Sequence, residues 1–351
     1  MLSGKNGFVV LYFLFFMQKL CKIALSLCFV LVFLTKFPHN RVTIVSYDFL
    51  CFYFVFDESN FNSFFYLKGA FAMYDYHIHS YHSADGMQSL REIALGAIHN
   101  GLDEICVTAH YDYDFPLAPH LNFICDLIDY VEDVERYAAR FADQLIIKTG
   151  VEIGMQAGRD DVFAATRYAM EGLRFDYILG SIHWMGFAEG NPQHLIEEDV
   201  NPVFGYGATP DDVMRKYALQ LLSCAKDFPE LDCIGHLTYH SRQNPYPDRQ
   251  LRYRNAPDEL DALFQYLISH GKGLEINTSS KTPFGFFMPD EDIMCRYHEL
   301  GGEIVTIGSD AHRPDRIGEH YAAACQMLRR AGMQYVCTYE NHNPVFHRIG
   351  G

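Results

Sequence analysis

The chain has 351 residues, of which 49% are hydrophobic, so it can bury the core of one large α/β domain or of two ordinary domains. Its formal net charge of −16 argues against nucleic acid as a partner, because phosphate backbones are bound by basic surfaces. Ten cysteines without a C-x-x-C pair are typical of free thiols in a reducing compartment.

Residues 1–72 form an apolar N-terminal extension that differs from the rest of the chain. Two thirteen-residue apolar runs within residues 6–35 are each short for a membrane-spanning helix, which needs about 20 residues, and residues 49–69 are rich in Phe and Tyr without a helical or strand period. Three interpretations stay open: a membrane anchor through residues 6–35, a cleaved export signal, and a stretch outside the working protein, whose translation would begin at Met73. We favour the third, and hence a cytoplasmic protein, because a regular α/β pattern starts at Met73 without a linker.

From Met73 onward, apolar strands alternate with amphipathic helices. Strands are predicted at 73–79, 104–110, 145–154, 175–183, 231–236, 274–279 and 303–312, with a short last strand at 335–338. Helices are predicted at 89–101, 121–141, 159–171, 210–227, 258–273, 290–302 and 318–332. Continuous apolar strands indicate a parallel sheet covered on both faces, and seven or eight such units favour a closed barrel. The sequence therefore predicts a single α/β barrel domain over residues 73–351.

Histidines and carboxylates follow almost every predicted strand. They are His77, His79, His110, Glu152, His183, His236, Asp310 and His312, with Asp85 in the loop after the first strand. In such barrels the carboxyl ends of the strands gather at one rim, which is where active sites form. In the H-x-H and D-x-H pairs, side chains two positions apart share one face of a strand and can reach one ion.

Imidazoles and carboxylates in one mouth are the ligands that Zn²⁺, Mn²⁺ and Fe²⁺ accept. Nine such groups are too many for one tetrahedral site, so we expect two or three divalent ions sharing a bridging carboxylate. Paired ions can clamp a phosphoryl group. They would also supply the positive charge that an acidic protein needs in order to bind phosphate.

The motifs DYHIHSYHSADG, GVEIG and GSIHW, taken with the other strand-end histidines and the final D-x-H, resemble the PHP (polymerase and histidinol phosphatase) superfamily, in particular its histidinol-phosphatase branch. The resemblance runs from Met73 to the last helix and leaves out residues 1–72. It implies a distorted (β/α)7 barrel with a trinuclear site. It also implies hydrolysis of L-histidinol phosphate to L-histidinol and phosphate.

The same resemblance implies a role for each candidate ligand. One ion would be held by His77, His79, Glu152 and Asp310; a second by Glu152, His183 and His236; a third by Asp85, His110 and His312. Asp85 matches by its place in the loop, where other branches have histidine. The general acid for the leaving alkoxide stays open among His236, His312 and Asp310.

Three cations are candidates for substrate binding. Arg159 follows the third strand and could bind phosphate in a bidentate fork or face solvent; Arg242 and Lys281 are alternatives of the same kind. The expected partner is a small-molecule phosphate ester, and the oligomeric state stays open. Competing hypotheses are a PHP phosphoesterase for another small phosphate or nucleotide, a noncatalytic metal-bound module, and a phosphatase tethered to a membrane by residues 1–72.

Overall fold

The computed structural model describes residues 41–45, 50–55, 64–69, 72–115, 123–185, 203 and 208–349. The chain divides into two compact units, Met1–Ala70 and Phe71–Gly351. Among the described residues, no helix combines the length and the apolar character needed to cross a membrane. The proposed anchor at residues 6–35 lies outside the described residues.

The first unit contains a three-stranded antiparallel sheet. Its strands are β1 (Arg41–Val45), β2 (Leu50–Val55) and β3 (Phe64–Gly69), in the order β1–β2–β3. Two of them lie in the aromatic stretch 49–69, whose sequence has no strand period. Phe and Tyr favour strands even where they do not alternate with polar residues, so composition was the usable signal there.

The second unit is a seven-stranded parallel barrel with helices between its strands. The strands are β4 (Tyr74–Ile78), β5 (Glu104–Tyr111), β6 (Ile146–Gly154), β7 (Tyr177–Ser181), β8 (Cys233–Ile234), β9 (Gly273–Asn277) and β10 (Val305–Gly308). Each pairs with the next along the chain. Asp310 N–H donates to His77 O at 2.8 Å and His79 N–H donates to Ala311 O at 3.0 Å, which joins the last strand region to the first. The predicted (β/α)7 barrel is confirmed.

Four of the eight helices described in this unit begin at a capping side chain. The eight are α1 (Leu90–His99), α2 (Leu127–Phe141), α3 (Asp160–Met170), α4 (Pro210–Asp227), α5 (Pro257–Ser269), α6 (Lys281–Phe284), α7 (Glu291–Glu299) and α8 (Tyr321–Arg330). Ser89 and Glu92 form a capping box on α1, and Thr209 and Asp212 do the same on α4. Such caps satisfy backbone N–H groups that have no partner inside the helix.

The packing of α2 shows how a helix is held on the barrel. Its buried face includes Tyr130 and Val134, which are both fully buried. The Tyr130 hydroxyl lies 2.6 Å from Val107 O and 2.7 Å from Gly150 O, on β5 and β6. Because the ring is buried and its hydroxyl is hydrogen-bonded, the side chain contributes apolar contact without an unpaired polar atom.

The helix predicted at 121–141 begins at Leu127, and the short helix α6 was not predicted. Two further parts of the barrel differ from the predicted elements. Strand β8 is only two residues long, because the backbone turns sharply after it: φ is +24° at His236 and +79° at Thr238. After α8, β11 (Tyr335–Glu340) is longer than predicted and pairs with an unpredicted β12 (Asn343–Arg348) in an antiparallel hairpin. The turn between them has two residues with positive φ, as in tight hairpin turns, but β12 is too exposed to show an apolar pattern.

The base of the barrel, where its strands begin, is filled by tyrosines. Tyr76, Tyr177 and Tyr339 are almost completely buried and contact one another, with ring centroids 4.9 to 6.4 Å apart. The Tyr76 hydroxyl donates to the buried Glu104 and accepts from Tyr339 N–H at 2.7 Å. The hairpin thereby closes the base with Tyr339.

Candidate metal centre

The opposite end of the barrel, the C-terminal rim, brings all nine predicted ligands to one place. Seven of them line a cleft of about 250 Å³: Asp85, His110, Glu152, His183, His236, Asp310 and His312. The other two, His77 and His79, are fully buried beneath them. The gathering at one rim follows from parallel strands, whose carboxyl ends face the same way.

The first group of donor atoms surrounds a single point. His77 Nε2 lies 2.9 Å from His79 Nε2, and Glu152 Oε2 lies 3.1 and 3.4 Å from these two atoms. Asp310 Oδ1 lies 3.6 and 3.3 Å from the same two nitrogens. A tetrahedral ion with bonds of about 2.0–2.1 Å would place neighbouring donors about 3.3–3.4 Å apart. The spacing therefore fits one divalent ion.

The second group uses the other oxygen of the same glutamate. Glu152 Oε1 lies 2.8 Å from His236 Nε2 and 3.2 Å from His183 Nε2. The two nitrogens are 3.3 Å apart. Glu152 therefore stands between two groups of donors, as a bridging carboxylate would.

The third group is looser and more exposed. Asp85 Oδ2 lies 3.2 Å from His312 Nε2 and 3.9 Å from His110 Nε2. The rings of His110 and His312 both stack on the ring of His79, with centroids 4.3 and 4.2 Å away. The Asp85 side chain keeps 45% of its exposure, so this group opens to solvent.

The charges in the centre depend on one another. Burial opposes protonation of His77, but the carboxylates of Glu275, Glu152 and Asp310 outweigh it and raise its pKa well above the usual value. Burial likewise opposes ionisation of Glu152, yet the surrounding histidines hold its pKa well below its usual range. Burial and the neighbouring His110 lower the pKa of His79 to about 3, so this imidazole is neutral and has a lone pair to share.

The donor set fits divalent cations. Four buried atoms of the proposed ligands have no hydrogen-bond partner among the described residues: Glu152 Oε2, His110 Nδ1, His236 Nδ1 and His312 Nε2. Glu152 Oε2 lies 3.1 Å from His77 Nε2 but without the alignment of a hydrogen bond. Buried polar atoms are rarely left unpaired, and lone pairs that converge on one point are favourable when a cation lies between them.

Three polar residues that the sequence analysis did not select hold the far nitrogens of these histidines. Glu275 Oε1 lies 2.6 Å from His77 Nδ1, Ser83 Oγ lies 3.0 Å from His79 Nδ1, and Asp112 Oδ1 lies 2.6 Å from His183 Nδ1. Burial opposes ionisation of Asp112, but His183 and His110 lower its pKa to about 2. Two signals were available in the sequence: Asp112 follows His110 on the same strand face, and Glu275 is a lone charge in an apolar strand.

The three predicted substrate-binding cations differ in position. Arg242 lines the cleft, donates to Ser279 and Ser280, and its Nη2 lies 3.5 Å from Asp310 Oδ2. The Arg159 guanidinium is bound by Asp114 and Asp161, at 2.7 and 2.8 Å. Lys281 donates to Gly285 O at 2.7 Å. Among the three, Arg242 is the one that the fold brings to the metal centre, and the roles of Arg159 and Lys281 in binding substrate stay predictions.

The chain is similar in sequence to known phosphatases. The family model of the PHP domain matches residues 75–279. A histidinol-phosphatase of Lactococcus lactis is 29% identical over 269 residues, which cover 76% of this chain and 93% of that protein. A probable histidinol-phosphatase of Clostridium acetobutylicum is also 29% identical, over 75% of this chain and 96% of that protein.

Solved structures agree with the sequence comparison. The crystal structure of histidinol phosphate phosphatase from Lactococcus lactis, in complex with zinc, L-histidinol and phosphate, is 26% identical with a TM-score of 0.65, covering 78% of this chain and 98% of that one. A putative histidinol phosphatase from Listeria monocytogenes shares the fold, with 20% identity and a TM-score of 0.57 over 72% of this chain and 100% of that one. The PHP model spans more than half of the sequence, so the chain belongs to the PHP-domain family. The predicted family is confirmed, and these relatives support the predicted histidinol-phosphatase branch.

Proposed function

We propose that the chain is a metal-dependent histidinol-phosphatase, a phosphoric monoester hydrolase that converts L-histidinol phosphate to L-histidinol and phosphate. The observation that carries the proposal is the convergence of three groups of histidine and carboxylate donors around Glu152, at the rim where barrel enzymes act. The similarity to histidinol-phosphatases over nearly their whole length supports the same substrate.

The proposed ligand set has three parts. The first ion would be held by His77, His79, Glu152 and Asp310; the second by Glu152, His183 and His236; the third by Asp85, His110 and His312. Divalent ions bound there would lower the pKa of a water molecule and offset charge on the phosphoryl oxygens. Zinc, which is bound in the Lactococcus lactis structure, is the first ion to test, with manganese and iron as alternatives.

The protein's own residues position the ester at the mouth of the cleft. Arg242 presents a planar guanidinium that suits two phosphate oxygens, and its hydrogen bonds to Ser279 and Ser280 fix its direction. Asp310 turns Oδ1 toward His79 and Oδ2 toward Arg242, so one carboxylate can face both the ligand histidines and the substrate. We place the transfer of a proton to the leaving alkoxide at Asp310 Oδ2: this carboxylate would first accept a proton from the attacking water and then pass it to the alkoxide, with His236 and His312 as the other candidates.

A substrate panel tests the specific function. The purified full-length chain, loaded with zinc or manganese, is assayed for phosphate release from histidinol phosphate and from other small phosphomonoesters. We expect kcat/KM for histidinol phosphate to exceed the others by at least about tenfold, because a site built for an imidazole-bearing alcohol rejects esters that leave its polar groups unpaired. Equal values for all esters would refute the specific assignment and leave a general PHP phosphatase.

The proposed partner is a small-molecule phosphate ester. The cytoplasmic location stays a prediction, as does the role of residues 1–72. Fractionation of the full-length product tests both: recovery in the membrane pellet after salt washing would favour the anchor at residues 6–35.

A further inference from the structure

Glu275 is a buried carboxylate that joins two proposed ligands from different strands. It lies on β9 and has no exposed surface. Its Oε1 lies 2.6 Å from His77 Nδ1, and its Oε2 accepts the backbone N–H of His236 at 2.6 Å. His77 belongs to the first proposed ion and His236 to the second. A single side chain therefore contacts a histidine of each group.

We infer that Glu275 is a positioning residue that fixes both the tautomer of His77 and the backbone of His236; the inference rests on the ligand set of the proposed function. At 2.6 Å, Glu275 Oε1 can accept a hydrogen bond from His77 Nδ1, which keeps a proton on that nitrogen. When His77 binds an ion, its lone pair must then be on Nε2, the atom that faces His79, Glu152 and Asp310.

The second contact holds a backbone conformation that is rare for this residue type. At His236 φ is +24°, in a region that side chains with a Cβ seldom occupy. The hydrogen bond from its N–H to Glu275 stabilises that conformation and so aims the ring at Glu152, where Nε2 and Oε1 are 2.8 Å apart. Strain of this kind persists where the surrounding structure over-determines it.

The neighbouring strand leaves room for this carboxylate. A Cβ at Gly308 on β10 would overlap both Glu275 Oε1 and the Cβ of His77. The absence of a side chain at this position lets the β10 backbone pass close to the Glu275–His77 pair.

Replacing Glu275 by glutamine tests the inference because glutamine has nearly the same size. The amide offers one oxygen and one NH₂ group in place of two acceptors. If the oxygen accepts from His236 N–H, the NH₂ faces His77 Nδ1 and favours the tautomer with the proton on Nε2, which cannot bind an ion. If the amide is turned the other way, two donors meet at His236. A role in packing alone would leave zinc binding unchanged.

The measurement is zinc affinity of the full-length chain, by competition with a chromophoric chelator. We expect Glu275→Gln to bind zinc about 10- to 100-fold more weakly, the effect typical of losing a group that orients a metal-binding histidine. Glu132→Gln, which makes the same change on the exposed side of α2, should match the unmodified chain. Equal affinity in Glu275→Gln and the unmodified chain would overturn the inference.

A second measurement is made on the unmodified chain, so it does not require Glu275→Gln to fold. Long-range ¹H–¹⁵N correlations of the zinc-loaded unmodified chain report which nitrogen of each histidine carries a proton, and His77→Gln identifies the His77 signals. We expect the His77 proton on Nδ1; a proton on Nε2 would overturn the inference. A chain that binds zinc as expected but does not hydrolyse histidinol phosphate would refute the proposed function and leave this inference standing.

Discussion

The two ends of the barrel interior both bury polar groups, but these groups differ in whether they have hydrogen-bond partners. At the base, the Tyr76 hydroxyl pairs with Glu104 and with Tyr339 N–H. Tyr177 Oη lies 3.0 Å from Thr306 Oγ1, and Tyr339 Oη lies 3.4 Å from Cys233 Sγ. At the rim, Glu152 Oε2 and His312 Nε2, which face other proposed ligand atoms, lack hydrogen-bond partners among the described residues. The hydroxyls of the base are paired within the protein, whereas the rim has donor atoms that a cation could satisfy.

The comparison also separates two effects of burial on acids. At the base, burial is the main reason that the pKa of Glu104 and of Tyr76 is raised, so the neutral forms are favoured there. At the rim, neighbouring histidines outweigh burial and keep the pKa of Glu152 and Asp310 well below the usual range. Ionised carboxylates are what a metal site needs, so at the rim the neighbouring histidines, acting against burial, favour ion binding.

The largest expected effect is at the rim, in Asp310→Asn. This change removes one proposed ligand charge and the proposed proton carrier, so we expect phosphatase activity to fall about 10³-fold or more while circular dichroism stays unchanged. Asp315→Asn, at an exposed carboxylate, should retain full activity. Activity above a tenth of the unmodified level in Asp310→Asn would remove its proposed role.

A smaller effect at the rim is expected for Asp112→Asn. Asp112 lies behind two histidines, 2.6 Å from His183 Nδ1 and 3.2 Å from His110 Nδ1, although the second contact lacks hydrogen-bond alignment. An amide can accept from only one of them, so we expect zinc affinity to fall about 10- to 100-fold in a chelator competition. The exposed Asp143→Asn is the matched control. Zinc affinity equal to that of the control would show that Asp112 does not orient either ring.

At the base, Tyr76→Phe should lower stability without affecting catalysis. The change leaves buried Glu104 without its hydroxyl partner and Tyr339 N–H without its acceptor. Leaving such groups unpaired costs about 1–3 kcal/mol, which urea unfolding of the chain would measure. Tyr335→Phe, at a partly exposed tyrosine of β11, should be nearly neutral. A large loss of kcat in Tyr76→Phe would show that the two ends are coupled.

The sequence predicted the rim better than the base, for a physical reason. Alternating strands and helices predict a barrel, and a barrel places the carboxyl end of every strand at one rim. His77 and Asp310 could therefore be assigned to the same site from the sequence alone. The partners of these ligands depend on side-chain register across the interior: Glu275 is 198 positions from His77 along the chain. Tyr339 reaches the base from a hairpin that was hard to predict, because its exposed strand β12 has no apolar pattern.

The smallest effect is expected at the hairpin turn near the base, where His342 Nδ1 lies 2.9 Å from Asp232 Oδ2. The hydrogen bond to Asp232 raises the pKa of His342 above its usual value of about 6.5, although partial burial opposes this. A raised pKa in the folded state means that the contribution to stability is complete below the unfolded pKa and is lost as pH rises through the folded pKa. The free energy of unfolding should therefore exceed that of His342→Gln by less than about 1 kcal/mol at low pH, since solvent screens a half-exposed pair. Urea unfolding between about pH 6 and pH 8 should show this difference shrinking as pH rises, with His99→Gln as an exposed control. A difference that grows with pH would mean that neutral His342 is the form the fold prefers.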